Sequence, residues 1–393
     1  MSKKSTIGKV ANITTGKLDS NDFELGGIYP FFTCAPDPLT INSFSFDDEA
    51  ILVAGNNAQG NFHINKYSGK FDAYQRTYVI TEKDGYSLDY IYYSLQLDLK
   101  RLKEKSQGSQ TKFLTKPIIE NLEIRDISLD QQIQTISLLK LLDEKLSINR
   151  DQIRILEDLC RKYFEYWFIQ YDFPSESDEP YASSNGLMVY SQELKRNVPE
   201  NWVIEPLKNQ IRIISGYPFK SNKYVEDGEF GVITIKNVQD LSLDLSNVDR
   251  IDEIPSNLPQ ECRLDVGDIL ISLTGNVGRI CIVDRANLLL NQRVGKISSS
   301  SNFYYFSYLY FQRPEVRLRL KKLATRSSQS NLSPIDAVED LLLVPNEKIL
   351  SEFNNQVKPL FDKVLALKSQ NYILKAQKDY LMPLLVTGQV TPN

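Results

Sequence analysis

The sequence predicts an α+β protein: two globular α/β units joined by two long antiparallel coiled-coil helices, the halves related by a pseudo-two-fold internal duplication. Three observations carry this. From Ser128 to Phe168 the chain has no glycine or proline. Core-type residues recur there in alternating steps of four and three at Thr135, Leu139, Leu142, Leu146, Asn149, Ile153, Leu156, Cys160, Tyr163 and Trp167, the pattern of a coiled-coil seam. A second seam near the end (Phe353, Val357, Leu360, Val364, Leu367, Asn371, Leu374, Lys378, Leu381 and Leu385) repeats the first position for position at an offset of 218. Before each seam, short β-rich runs alternate with Gly and Asn turns.

The elements follow in order. Residues 1–127 form a first globular unit, with strands at Ala50–Ala54 and Thr77–Ile80. A helix over Leu88–Lys105 turns Tyr90, Ile91, Leu95 and Leu102 inward and Lys100, Arg101, Lys103 and Lys105 outward. The first long helix and its spacer occupy 128–169, and Ser128 with Gln131 fits a capping box at its start. At about 1.5 Å per residue it is roughly 60 Å long. Residues 170–201, polar and rich in Ser, Asp, Asn and Pro, read as a linker. A second globular unit spans 202–345, with strands at Val232–Ile235, Ile269–Ser272 and Ile280–Val283. The second long helix and tail take 346–393, with a bend or restart expected at Pro359 and a stop around Pro383 and Gly388.

A narrow apolar stripe needs a partner, and a two-fold relation between copies makes the two helices antiparallel. If Asn149 faces Asn371, which maps to position 153 of the first helix, the axis falls at residue 151, near the helix centre. Leu139 then meets Leu381, Leu146 meets Leu374, Ile153 meets Leu367, Leu156 meets Val364 and Cys160 meets Leu360. Only Leu142 against Lys378 mismatches, and a lysine stem can cover a leucine while its ammonium reaches water. The facing asparagines are the register pins.

At 393 residues, 41% hydrophobic and 24% charged, the chain is long enough for two or three cores. It has no apolar run long enough for a membrane span and no signal-peptide pattern, so a cytoplasmic protein is expected. Cys34, Cys160, Cys262 and Cys281 lack CxxC spacing and are expected as buried reduced thiols. A net charge of −4 weakens a nucleic-acid reading without excluding it, because phosphate contact needs only a local basic face.

Catalytic signatures are missing. No FxGxG, Asn-Pro-Pro-Tyr, GxxxxGK[ST] or HExxH pattern is present, and the single histidine, His63, has no counterpart in the second copy. Gly55-Asn-Asn-Ala-Gln-Gly60 and Gly275-Asn-Val-Gly278 read as tight turns in preference to phosphate cradles. What recurs instead is polar loop chemistry. Gln75-Arg76 matches Gln292-Arg293, and Ser109-Gln110 matches Ser328-Gln329, at offsets of 217 to 219. Arg, Lys, Gln and Asn are the side chains that bind phosphates and read base edges, although in one copy alone they suit a solvated helix face equally well. The candidate DNA-contacting residues are Asn56, Asn57, Gln59, Tyr74, Arg76, Gln107, Ser109, Gln110 and Lys112 in the first unit. In the second they are Lys220, Thr274, Asn276, Arg279, Gln292, Arg293, Arg326, Gln329 and Asn331.

Several stretches, in this order, carry a family likeness. Tyr29–Cys34, Ala50–Gly55 and Gly69–Tyr78 in the first unit, with Gly216–Ser221, Ile233–Asn237 and Gly267–Ser272 in the second, look like two types of target-recognition domain. Tyr166–Phe168, Asp172–Pro174, Pro180–Ser184 and Val198–Trp202 are similar to a central conserved region, and Leu381–Gly388 to a distal one. Over nearly its whole length the chain resembles the DNA-specificity (S) subunit of type I restriction-modification systems. The resemblance implies no catalytic activity and no cofactor in this chain. Each globular domain would read one half of a bipartite double-stranded DNA target, with the helices setting the spacing. Methylation subunits, two of them, would dock on the helical regions and bring S-adenosylmethionine. Restriction subunits, where used, would add ATP and Mg. The competing readings are a coiled-coil scaffold that binds proteins through its globular units, and a self-sufficient methyltransferase.

Overall fold

The computed structural model describes residues 3–56, 62–105, 113–325 and 331–392, with backbone alone for 103–105. The chain divides into two compact units, Met1–Ser147 with Ile373–Asn393, and Ile148–Tyr372, so each long helix contributes to both.

The first long helix covers Leu129–Phe164. Its capping box forms: the Gln131 amide donates to Ser128 Oγ at 3.4 Å and the Ser128 amide to Gln131 Oε1 at 3.2 Å. A π-turn, Glu165–Ile169, continues it and buries Trp167 and Phe168. The second long helix, Glu347–Thr387, is capped by Asn346, whose side-chain oxygen accepts from the Ile349 amide at 2.9 Å. It does not restart at Pro359, and it runs through Pro383 to stop, as expected, at Gly388. The missing N–H removes one backbone bond, and the burial of Phe353, Val357, Phe361 and Val364 around Pro359 outweighs it. The stop is Gly388, in the left-handed region at φ 73°. Its amide donates to the Leu385 carbonyl at 3.0 Å and the Gln389 amide to Leu384 at 2.9 Å, a Schellman pair.

The first unit holds a six-stranded sheet in the order Ala11–Thr15, Thr77–Glu82, Phe46–Ala54, Ile64–Ala73, Tyr29–Phe32, Leu39–Ile41. All neighbours are antiparallel except Tyr29–Phe32 against Ile64–Ala73. One face packs on the helix Leu88–Lys105, whose Tyr90, Ile91 and Leu95 are fully buried. The same core takes Ile136 and Leu139 of the first long helix together with Leu381, Met382, Leu385 and Val386 of the second.

The second unit repeats this plan with one long strand cut in two. Its sheets run Ile211–Ser215, Val294–Ser299, Ile269–Ser272, Ile280–Ile282, and Asp249–Ile251, Phe230–Ile233, Leu288–Leu290, Arg263–Leu264. Leu288–Leu290 lies parallel to Phe230–Ile233, as Ile64–Ala73 does to Tyr29–Phe32. The stretch 170–201 is no loose linker. Tyr171, Phe173 and Trp202 are buried, Phe173 stacks between Tyr181 at 4.6 Å and Trp202 at 5.2 Å, and Met188–Ser191 pairs with Arg196–Pro199.

In both units the helices run antiparallel in the expected register. Within the second, Asn149 donates to Asn371 Oδ1 and to Gln370 Oε1, both at 2.8 Å, while Cys160 and Phe164 share a core with Phe353, Val357 and Phe361. Within the first, Lys378 does not reach for water: its ammonium bonds Asp143 at 2.7 and 2.8 Å and lies 5.4 Å from the Tyr93 ring centre. All four cysteines are free thiols. Cys160, Cys262 and Cys281 are buried, and burial pushes their pKa values up, to about 12 for Cys160, whereas Cys34 is only half-buried. Among the described residues no helix is long and apolar enough to cross a membrane.

Candidate nucleic-acid interface

In the first unit a sharp turn at Tyr74-Gln75-Arg76 joins two strands, and the backbone around it is held on every side. The Tyr74 amide donates to the Phe32 carbonyl at 2.9 Å, Gln75 to Leu18 at 2.9 Å, Thr77 to Tyr74 at 2.8 Å and Gly16 to Thr77 at 3.2 Å. Gly16 is obligatory here, since a Cβ would lie 1.8 Å from the Ala73 carbonyl oxygen. The Gly55 amide donates to the Arg76 carbonyl at 2.8 Å, and the Gly55 carbonyl accepts from Leu114 at 2.9 Å. Three segments far apart in sequence thus meet at one end of the sheet, with Gln75 and Arg76 exposed.

The second unit rebuilds this rim bond for bond. Asn291 donates to Ile233 at 3.1 Å, Gln292 to Tyr217 at 3.1 Å, Val294 to Asn291 at 2.9 Å and Gly216 to Val294 at 3.3 Å. A Cβ on Gly216 would sit 2.3 Å from the Asn291 carbonyl oxygen. Leu273 donates to Arg293 at 3.2 Å and accepts from Leu332 at 2.8 Å, with Gln292 and Arg293 exposed. The first-strand glycines are 200 residues apart and the later turns 217, so the second unit has gained chain in between.

The remaining candidates divide. Asn56 lies at the rim, bridged to Phe113, and Tyr74 is half-buried in its turn. Lys220, Asn276 and Asn331 are exposed. Thr274 is buried, and so unsuited to reading a base. Arg279 is committed inside the protein: its guanidinium donates to Gln239 Oε1 at 2.6 Å and lies 4.0 Å from Asp240. The basic helix Pro314–Ala324 is similarly engaged, Arg317 with Asp240 at 3.0 Å and Arg319 with Asp340 at 3.0 Å. Asn57, Gln59, Gln107, Ser109, Gln110, Lys112, Arg326 and Gln329 lie outside the described residues. Gly275 and Gly278, at φ 67° and 82°, close a tight turn over Ser272, whose hydroxyl donates to the Asn276 carbonyl at 2.5 Å and accepts from the Arg279 amide at 3.0 Å. His63 is half-buried, and among the described residues no cluster of His, Cys, Asp or Glu is placed to hold a metal. The grip of Gln239 and Asp240 on Arg279 was not foreseeable, because nothing in sequence links positions 40 residues apart.

Comparison with known proteins agrees with this geometry. A family model described as the type I restriction modification DNA specificity domain matches residues 2–158. The specificity subunit of the type I restriction enzyme EcoDI of Escherichia coli is 30% identical over 210 residues, 51% of this chain, and the match spans about half (46%) of that relative's length. The MjaIX specificity subunit of Methanocaldococcus jannaschii is 25% identical over 323 residues, 79% of this chain and 71% of that one. The crystal structure of the type I restriction-modification S subunit from M. genitalium shares the fold, with a TM-score of 0.59 at 18% identity over 98% of this chain and 96% of that one. Residues 2–158 thus match the type I DNA specificity domain, and the chain is similar to specificity subunits of type I restriction-modification systems.

Proposed function

We propose that this chain is the DNA-reading subunit of its complex, each globular unit recognising one half of a bipartite duplex target. The observation that carries this is the doubled rim, in which identical backbone bonding presents Gln75-Arg76 in one unit and Gln292-Arg293 in the other. Arg can bond guanine bidentately and Gln adenine in the major groove, and rigid turns hold such side chains at low entropic cost. Two rims with one scaffold and different surrounding loops suit two different half-sequences.

Catalysis, on this reading, belongs to partners. Methylation subunits, probed as a pair, dock on the helices and bring S-adenosylmethionine; restriction subunits bring ATP and Mg. In the second unit the first long helix leaves Ile148 and Ile155 exposed at heptad spacing, and in the first unit Leu141, Ile373 and Tyr380 are exposed, apolar positions that suit partner helices. The test is co-expression with a methylation subunit and genome-wide mapping of methylated positions. A split motif is expected. Arg76→Ala should relax one half by about 1–3 kcal/mol and Arg293→Ala the other; equal loss at both halves, or a continuous motif, overturns the reading. Duplex affinity should fall steeply with salt, and salt-insensitive capture of proteins would favour an adaptor instead.

A further inference from the structure

In the second unit one strained backbone position is tied to both long helices. Leu241, between the strands Val238–Gln239 and Ser242–Leu243, has φ 62°, a conformation costly for a bulky residue. Its carbonyl accepts a 2.6 Å bond from the ammonium of Lys368, on the second long helix. Lys368 in turn pairs with Glu157 of the first long helix at 2.9 Å, both side chains only 11% exposed. The Leu241 amide is tied as well, donating to Ile280 at 2.8 Å. A buried ion pair is seldom retained for stability alone, and here it touches both helices and a strained loop at once.

The other side of the same hairpin holds the rim. Gln239 accepts from the Arg279 guanidinium at 2.6 Å, and Asp240 bonds Arg317 at 3.0 and 3.1 Å. Arg279 closes the turn from Ser272, its amide donating to Ser272 Oγ, and the Cγ of Arg317 lies 3.2 Å from where a Cβ on Gly278 would be. A continuous set of contacts therefore runs from Glu157 through Lys368, Leu241 and Asp240 to the turn that carries Asn276.

We propose that Lys368 is a positioning residue for target reading by the second unit: through the strained hairpin at Leu241 it sets the placement of the 273–279 turn, and so makes recognition at that rim sensitive to the state of the helix pair. This rests on the reading of the rim as a DNA-contacting surface. The linkage itself does not, and the two are tested separately.

The first measurement is amide hydrogen exchange on the full chain with both charges removed, Glu157→Met with Lys368→Met, because removing one alone strands the other in the interior. Exchange over 239–243 and 273–279 should quicken by roughly tenfold, the factor expected from losing one charge-assisted bond, while Thr77–Glu82 of the first unit stays as in the parent. Unchanged exchange over 273–279 overturns the linkage. Should the double variant fail to fold, Asp240→Asn keeps the Lys368 contact and loosens only the far side. It should quicken 273–279 alone, and no change there again overturns the proposal. In complex with a methylation subunit, the folded variant should lose discrimination at one half-site and keep the other. Equal loss at both would reduce Lys368 to a residue of general stability. If the parent complex marks no split motif, the DNA reading fails while the exchange result still decides the linkage.

Discussion

In the first unit the helix Leu88–Lys105 adds charged contacts to its apolar packing on the long helices. Asp89 accepts from Lys140 at 2.6 Å and from Lys66, and Tyr93 donates to Asp143 at 2.8 Å, the carboxylate that also holds Lys378. Gln132, fully buried, accepts from the Ser87 amide at 2.8 Å. The corresponding helix of the second unit, Tyr304–Gln312, meets them through rings. Phe306 lies 5.0 Å from both Phe164 and Phe168, Phe353 lies 4.7 Å from Phe168, and Phe361 is surrounded by Tyr304, Tyr305 and Tyr308. Duplication preserved the backbone plan and the rim, yet the seat of each globular part on its helices was rebuilt in different chemistry. A backbone hydrogen-bond scaffold tolerates many side chains, whereas a helix–helix contact must be matched residue by residue. Each globular unit is thereby keyed to its own stretch of helix.

The contrast breaks most visibly at Phe353, which is fully buried against Phe164, Trp167 and Phe168. Phe353→Ala should cost about 3–5 kcal/mol. The chain's two tryptophans, Trp167 and Trp202, both lie in the second unit, so fluorescence-detected urea unfolding reads that unit specifically. A loss below about 1 kcal/mol would mean that the ring cluster is not what seats this unit.

A smaller effect is expected at the polar layer. Asn149→Leu alone leaves Asn371 without its donor and should cost about 1–3 kcal/mol. Replacing both Asn149 and Asn371 with Leu should restore or exceed the parent stability while loosening the register, because an apolar pair does not specify one alignment. A double-mutant cycle with no coupling between the positions would show that the bond contributes nothing.

That layer was legible from sequence because two seams of identical phase leave one alignment that pairs asparagine with asparagine. Capping residues and strands at Ile269–Ser272 and Thr77–Ile80 were legible for similar local reasons. What failed were judgements that depend on tertiary partners. Pro359 resides inside a helix whose buried flanks hold it together, and Lys378 turned to an aspartate that only the helix register brings within reach. The stretch 170–201 is polar on average, but Tyr171 and Phe173 anchor it to Trp202. At the site, the rim turns were found by their repetition, whereas the burial of Thr274 and the internal engagement of Arg279 follow from contacts no local pattern announces.

The smallest expected effect sharpens the charged side of the comparison. Burial alone would raise the pKa of Asp89, but the bonds from Lys140 and Lys66 outweigh it and hold the carboxyl below its ordinary range. Its contribution is therefore complete above the ordinary carboxylate range near pH 4, and it is lost as pH falls through the depressed folded value. Asp89→Asn should cost about 1 kcal/mol at neutral pH, since the network is partly exposed, and should remove this acid sensitivity. Tryptophan fluorescence does not see the first unit, so the measurement is amide exchange. On acidification, protection over 87–93 should fall in the parent before protection over 304–311, whose packing on the long helices is mainly aromatic. In Asp89→Asn the protection over 87–93 should be lower at neutral pH and flat with pH. If both helices instead loosen together in the parent, the first unit is held by the apolar contacts of Tyr90, Ile91 and Leu95 with Ile136 and Leu139, and the ion pairs merely decorate them.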